Sequence, residues 1–268
     1  MRLDQLLVER GLFESRARAS ACVLAGGVLV GPGRERAAKP GIRVDDEVEL
    51  SIVGGPRYAS RGGLKLAQAL GTFAIDVRGR RCLDVGAATV GFTDCLLQAG
   101  VAHVVALDVA YGALDWKLRN DERVTVIERK NARELSRDDL PYAPDLIVID
   151  VSFIGLAKVL PALVSCAAPR LDLVALVKPQ FEAGRSRVGK GGVVRDPADR
   201  IGALVTVGVT ARSLDLAVLA YCSSGLAGPA GNLESFVWCA ERARGGVEDL
   251  RGAALEAEPN APALLGER

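Results

Sequence analysis

Between residues 81 and 240 short apolar runs alternate with helix-like stretches, and this alternation restricts the chain more than any other feature. Strands are expected at Arg81–Val85, Val104–Asp108, Val124–Glu128, Leu146–Asp150, Leu173–Val177, Leu216–Ala220 and Phe236–Cys239, all rich in valine, leucine and isoleucine. Near-continuous apolar strands are buried on both faces, which requires helices on both sides of a mostly parallel sheet. The expected fold class is therefore α/β: a doubly wound, mostly parallel, seven-stranded sheet of Rossmann-like type. The last two strands lie close together in the chain, so an antiparallel edge pair is expected there.

The first fifty residues follow a different pattern. Leu3, Leu6 and Leu7 recur at helical spacing, and Ser15 can cap a second helix carrying Ala19, Cys22, Val23 and Leu24. Strands are expected at Val28–Val30 and Val48–Val53, separated by the turn residues Gly31-Pro32-Gly33 and Pro40-Gly41. This is a small α+β domain over residues 1–53, with a linker at 54–59 beginning Gly54-Gly55-Pro56. The α/β domain is expected over 60–242. Residues 243–268 read as a flexible carboxyl-terminal tail.

Charged residues make up 25% of the sequence and apolar ones 49%, ordinary usage for a folded protein. Charges scattered through Met1–Arg10 argue against a secretory segment, and no run approaches the ~20 apolar residues of a membrane span, so a cytoplasmic protein is expected. The six cysteines are widely spaced without a CxxC pair, which suggests neither a zinc site nor a disulfide framework. No metal is expected. The single histidine, His103, stands at the entrance to a strand and reads as structural.

The chemistry-bearing stretch is Leu83-Asp84-Val85-Gly86-Ala87-Ala88-Thr89-Val90-Gly91-Phe92, which runs from a strand through a tight turn into a helix. That context marks a nucleotide-type cofactor loop, with Asp108 at the end of the next strand placed to accept from ribose hydroxyls. Asp84, Gly86, Ala87, Gly91, Phe92, Asp108 and Asn131 form the expected cofactor set.

Five further stretches carry a specific likeness: Ser60-Arg61-Gly62-Gly63-Leu64-Lys65-Leu66, Leu114-Asp115-Trp116-Lys117-Leu118-Arg119-Asn120, Asp150-Val151-Ser152-Phe153-Ile154, Val177-Lys178-Pro179-Gln180-Phe181-Glu182 and Gly231-Asn232-Leu233-Glu234. With them, about residues 2–240 resemble the TlyA family, the haemolysin-named ribosomal RNA 2′-O-methyltransferases related to FtsJ. The resemblance implies S-adenosylmethionine as cofactor, ribosomal RNA or ribosomal subunits as partner, and a catalytic tetrad of Lys65, Asp150, Lys178 and Glu234. Within it Lys178 is the base, Lys65 stabilises oxyanion charge, and the two carboxylates orient the lysines. A ribose hydroxyl is a poor nucleophile until its proton is drawn away, and a desolvated lysine beside another cation favours the neutral amine that can do so.

The amino-terminal domain resembles the S-four-type RNA-binding module. Through residue 43, eight basic residues face four acidic ones, and Arg2, Arg10, Arg16 and Arg18 are expected to meet phosphates. A second basic segment, residues 183–192, contains GxxxxGK, but Gly191 follows Lys190 where a phosphate-binding loop needs Ser or Thr. Arg185 and Arg187 there are expected to belong to a mobile flap over RNA.

The likeness also has departures. Val90 stands where the family carries glycine, as does Ala110, while Ala88 replaces a serine. In the amino-terminal domain Gly27 replaces a usual basic residue, and Gly31-Pro32 replaces an Asn-Gly-type turn. A β-branched residue at position 90 restricts close backbone approach. It opens an alternative: a paralogue repurposed for a small-molecule substrate, such as a non-methylating cyclase, or a non-catalytic binding protein.

Overall fold

The computed structural model describes residues 1–24, 26–33, 35–37, 39–53, 57–112 and 116–259. The Gly-Gly-Pro of the expected linker, residues 114 and 115 of one quoted motif, and residues 260–268 of the expected tail lie outside the described residues. The chain divides into two compact units, Met1–Leu64 and a second beginning at Lys65.

In the first unit, helices α1 (Leu3–Glu9) and α2 (Arg16–Leu24) are followed by strands β1 (Val28–Val30), β2 (Glu35–Arg36) and β3 (Leu50–Ile52), antiparallel in the order β2-β1-β3. Strand β2 lies in a stretch read from sequence only as turns; two residues suffice because Leu29 and Arg36 need only share one short ladder. Leu3, Leu7, Ala19, Cys22, Val23 and Val28 form a small core of the kind the apolar spacing implied. Asp4, only 4% exposed, lies beneath it in the first turn of α1.

Helix α3 (Arg61–Thr72) spans the boundary between units. Beyond it come β4 (Arg81–Val85), α4 (Gly91–Gln98), β5 (His103–Leu107), α5 (Trp116–Arg119), β6 (Val124–Ile127), β7 (Leu146–Ile149), α6 (Leu160–Cys166), β8 (Asp172–Val177) and α7 (Pro179–Glu182). The described residues end with α8 (Pro197–Ser213), β9 (Leu216–Ser223), β10 (Ser235–Glu241) and α9 (Leu250–Ala257). The seven-stranded sheet has the order β6-β5-β4-β7-β8-β10-β9, parallel from β6 through β8 and antiparallel at β10 and β9. Each expected strand is present, with no end moved by more than three residues.

One face of the sheet packs Leu83, Val105, Ile147 and Leu173 against Leu160, Leu163, Ile201 and Leu204 of α6 and α8. Toward the other, Phe92 of α4 meets Phe236 of β10 at 6.0 Å between ring centroids. All six cysteines are buried thiols outside any disulfide. His103 is structural: its Nδ1 lies 2.9 Å from the Tyr142 hydroxyl, which donates to the Cys82 carbonyl. Among the described residues no helix is long and apolar enough to cross a membrane.

Over residues 250–257 the expected flexible tail is corrected by α9. Asp249 caps this helix through the Arg251 amide at 2.9 Å, and Leu250 and Ala254 are buried. Gly246 lets the preceding segment cross β9, since a Cβ there would lie 2.5 Å from the Val218 carbonyl oxygen. Glu258, just beyond the helix, is buried against Arg200 of α8. Composition without aromatics hid this docking because small and aliphatic residues, among them Leu250, Ala254 and Leu255, carry it with one buried ion pair.

Candidate active site

In a doubly wound sheet the ligand crevice opens where neighbouring strands lead their connections in opposite directions, at the carboxyl ends of the strands. Here that point lies between β4 and β7. The β4 turn is pressed onto the end of β7: Gly86 has φ +90°, and a Cβ on it would sit 2.5 Å from the Asp150 carbonyl oxygen. Only glycine meets both demands. The turn is closed further by Gly86 N–H donating to Leu107 O at 2.9 Å and Asp150 N–H donating to Val85 O at 2.8 Å.

Asp108 organises the cofactor side. One carboxylate oxygen accepts from the Ala88 amide at 2.8 Å and the other from the Ala110 amide at 2.7 Å, so this acid ties the loop after β4 to the loop after β5. An ionised carboxylate has about four acceptor positions, which leaves capacity for ribose hydroxyls. Asn131 caps a short turn after β6 through the Arg133 amide at 3.1 Å, while the neighbouring Lys130 amide donates to Asp108 O. Gly91 begins α4.

Three members of the expected cofactor set lie beneath the loop instead of lining it. Asp84 is fully buried and accepts from the Thr93 hydroxyl at 2.6 Å; Ala87 and Phe92 are 1% exposed, Phe92 in the core against Phe236. Alternation along β4 points Asp84 inward, and an aromatic one residue into α4 turns toward the sheet. Burial pushes the Asp84 carboxyl up to about 7, with the nearby Asp150 and Asp108 charges adding to the rise and the Thr93 hydrogen bond opposing it. Its Oδ1 has no hydrogen-bond partner.

Val90 occupies the left-handed region, φ +59° and ψ −15°, as the residue before α4. That conformation is a genuine outlier for a β-branched side chain and costs roughly 1–3 kcal/mol. The side chain packs on the buried pair Ala87 and Ala106, a cluster that Val124 and Val126 of β6 also cover. Val90→Gly therefore removes strain and apolar contact together. We expect S-adenosylmethionine affinity to change by less than about threefold and the melting temperature by only a few degrees. Titration calorimetry of both proteins checks this, and a gain of about tenfold in the glycine variant would place the valine in cofactor space.

The four tetrad residues meet at one edge of the sheet. Lys178 follows β8 and Asp150 follows β7; their side chains form an ion pair at 2.6 Å, and Lys178 Nζ also donates to Ser152 Oγ at 2.8 Å. Strand β10 runs antiparallel to β8 with Ser235 opposite Val177, so Glu234 enters the sheet where Lys178 leaves it. Glu234, 2% exposed, forms a buried ion pair with Lys65 of α3. Gly228 makes room, since a Cβ there would clash with Glu234 Oε1.

Two participants were quoted in motifs without being assigned a role. Ser152 holds the Lys178 ammonium. Asn232, 1% exposed, accepts from Val194 N–H at 2.9 Å and donates to Gly192 O at 2.8 Å. This clasp fastens the basic loop near its carboxyl end, where the Val193 carbonyl also accepts from Gly189 N–H at 3.0 Å. Arg185 is exposed, whereas Arg187 pairs with Asp199 at 3.0 Å.

Phe153 is also missing from the expected site. It is 92% exposed, has φ +63°, and lies 5.4 Å from the Phe181 ring. An exposed aromatic held in a strained conformation three residues beyond Asp150 is a candidate functional position.

In the amino-terminal unit the four arginines have intramolecular partners. Arg2 and Arg16 converge on Asp4, Arg18 pairs with Glu14, and Arg10 donates to the Asp46 and Val48 carbonyls. The two arginines hold the Asp4 carboxyl down at about 2, with the Arg2 hydrogen bond the largest cause. Arg2, Arg16 and Arg18 remain about half exposed.

A parallel sheet with an antiparallel final hairpin, a glycine turn at the reversal point and acids at the strand ends define a Rossmann-like methyltransferase. The chain belongs to the FtsJ-like methyltransferase family, which residues 58–241 match, and within it to the TlyA group. It is 49% identical over 244 residues to the 16S/23S rRNA (cytidine-2′-O)-methyltransferase TlyA of Mycobacterium tuberculosis, covering 88% of each chain. It is 43% identical over 197 residues to Hemolysin A of Brachyspira hyodysenteriae, covering 73% of this chain and 81% of that one. A solved structure of a hemolysin-named protein from Streptococcus thermophilus superposes with a TM-score of 0.74 at 37% identity, covering 100% of this chain and 98% of the other. Nothing in these relatives favours the repurposed alternative.

Proposed function

We propose that this chain methylates ribose 2′-hydroxyls of ribosomal RNA with S-adenosylmethionine as donor. The observation that carries the reading is the meeting of two lysine–carboxylate pairs, Lys178–Asp150 and Lys65–Glu234, at the carboxyl edge of the sheet beside the Gly86 turn. The acidic setting of Asp84, Asp108 and Asp150 suits a cofactor that is cationic at sulfur and at its amino group. When bound, S-adenosylmethionine supplies a methyl group already activated by the sulfonium.

Lys178 first releases one ammonium proton to solvent and then, as the neutral amine, accepts the proton of the substrate hydroxyl as the oxygen becomes nucleophilic, while Asp150 and Ser152 hold its Nζ in place. Lys65 offsets negative charge developing on that oxygen, with Glu234 fixing its direction. In-line positioning provides most of the remaining rate enhancement. Asp108 and the turn at Gly86 hold the cofactor, and Asn131 borders it. Arg2, Arg10, Arg16, Arg18, Arg185 and Arg187 supply phosphate contacts through their exposed edges. Ribosomal subunits are the partner, and the cytoplasm is the compartment that this partner implies.

The test is calorimetric titration with S-adenosylmethionine followed by transfer of labelled methyl groups to purified ribosomal subunits. Micromolar binding with label at a ribose 2′-oxygen is expected. Binding without transfer to any ribosomal RNA would overturn the substrate.

We assign Phe153, exposed beside Phe181, to stacking on the base of the target nucleotide. Stacking contributes about 1–3 kcal/mol per base, so Phe153→Ala should lower kcat/KM for ribosomal subunits by roughly 10- to 100-fold. The melting temperature and cofactor affinity should hold, because the ring is almost wholly exposed. An unchanged kcat/KM would remove the stacking role.

A further inference from the structure

We infer that Glu258 is a positioning residue for the active site, acting through Arg200 on the loop between α7 and α8. The inference rests on the methyltransferase reading only for its kinetic consequence. Glu258 follows α9, the last helix among the described residues, and belongs to none of the stretches assigned to catalysis.

Arg200 is 5% exposed and Glu258 3%, so two full charges are withdrawn from water. Such a pair persists only when nearly all its hydrogen-bonding positions are filled. Arg200 Nε donates to both Glu258 oxygens, at 3.1 and 3.2 Å, and Nη2 donates to Oε1. The remaining nitrogen, Nη1, donates to the Arg195 carbonyl at 2.7 Å and the Val194 carbonyl at 3.3 Å. Glu258 thus holds one side of the guanidinium, and the other side grips the end of the loop.

The same loop segment is gripped from its opposite side by Asn232, which accepts from Val194 N–H and donates to Gly192 O. Asn232 is two residues before Glu234, and the turn between them is braced by Gly228 N–H donating to Asn232 O and Ser224 N–H donating to Glu234 O. At its other end the loop continues from α7, which starts directly after Lys178. Hydrogen bonds therefore run from Glu258 through Arg200, Val194 and Asn232 to the turn that sets the Lys65–Glu234 pair. Removing the Glu258 carboxylate leaves a buried guanidinium without a counterion, which can be relieved only by turning away from the loop carbonyls or drawing water under them. A plain staple fixing α9 to α8 would have no need of Nη1 on the loop.

The test uses the full chain in four variants: Glu258→Ala, Glu258→Gln, Leu250→Ala, and the double replacement Arg200→Met with Glu258→Leu. Backbone hydrogen exchange over residues 188–195 is measured beside kcat and KM for methyl transfer to ribosomal subunits. Glu258→Ala should speed exchange in that loop and lower kcat, each on the order of tenfold, with KM for the cofactor nearly unchanged. Glu258→Gln keeps an acceptor and should recover part of both. Leu250→Ala loosens α9 without touching the ion pair, and should lower the melting temperature while leaving loop exchange and kcat alone. The apolar double replacement should restore folding, since well-packed apolar residues replace buried ion pairs at little cost, yet keep kcat low because both loop carbonyls have lost their donor.

Wild-type kcat in the double variant, or unaltered loop exchange in Glu258→Ala, would overturn the inference. If the single variants do not fold, the double variant decides. Loop exchange requires no activity, so a wild type that fails to methylate ribosomes would count against the proposed function and leave this test intact.

Discussion

Lys178→Ala is expected to lower kcat for methyl transfer by roughly 10²–10⁴-fold, the range a positioned general base contributes. The alanine variant also strips Asp150 of its ion-pair partner, so lost stability would blur the reading. Lys178→Arg separates the two effects. An arginine keeps a cation beside Asp150 and so preserves the fold, but a guanidinium does not give up its proton in a protein and cannot serve as base. The arginine variant should therefore melt near the wild-type temperature, bind S-adenosylmethionine with wild-type affinity, and show as little single-turnover methyl transfer as the alanine variant. More than about a tenth of wild-type activity in Lys178→Arg would assign the proton to another group.

The second large effect is on stability and depends on pH. Asp84 is sealed under the cofactor turn with one oxygen unpartnered, and burial raises its carboxyl to about 7, where an unfolded aspartate ionises near about 4. Because the folded value is the higher one, the folded chain holds a proton that the unfolded chain releases. Stability tied to this group is complete below about pH 4, falls as pH rises toward about 7, and is flat above it. Asp84→Asn resembles the protonated form at every pH. Its melting temperature should match the wild type near pH 4, rise above it through that window, and exceed it at pH 8 by several degrees, for a difference on the order of 2–4 kcal/mol. A gap that does not change between pH 4 and pH 8 would show that ionisation is not the cause.

A buried acid that destabilises the free protein is characteristic of a functional position. Asp150 and Asp108 face Asp84 across the turn, and Thr93 is its hydrogen-bond donor. A cationic cofactor above the turn would favour the ionised form. The affinity of the wild type for S-adenosylmethionine should then increase with pH up to about 7, and that of Asp84→Asn should not.

Several features were legible from the residues alone. The runs at 81–85, 104–107, 146–149 and 173–177 announced parallel strands because a strand buried on both faces can carry little but apolar residues. Gly86 and Asp108 were readable because a strand, a turn and the next strand lie within about thirty residues, so their chemistry is local. The proposed tetrad came from motif likeness, which marks residues but not their partners.

What the tertiary structure decided is pairing across distance. Lys65 meets Glu234 from 169 positions away, and Arg200 meets Glu258 from 58, in each case because strand order or helix docking brings them together. An antiparallel β10 beside β8 sets Glu234 next to Lys178, and nothing in the local pattern of either strand states that register. Arg2 and Arg16 read as a free basic face until Asp4 is seen between them. Side-chain periodicity reports which face is buried, and so determined the sheet and its core. Hydrogen bonds and ion pairs act over a few ångströms in any direction, so only the folded chain could settle which charges hold the site and which remain for a substrate.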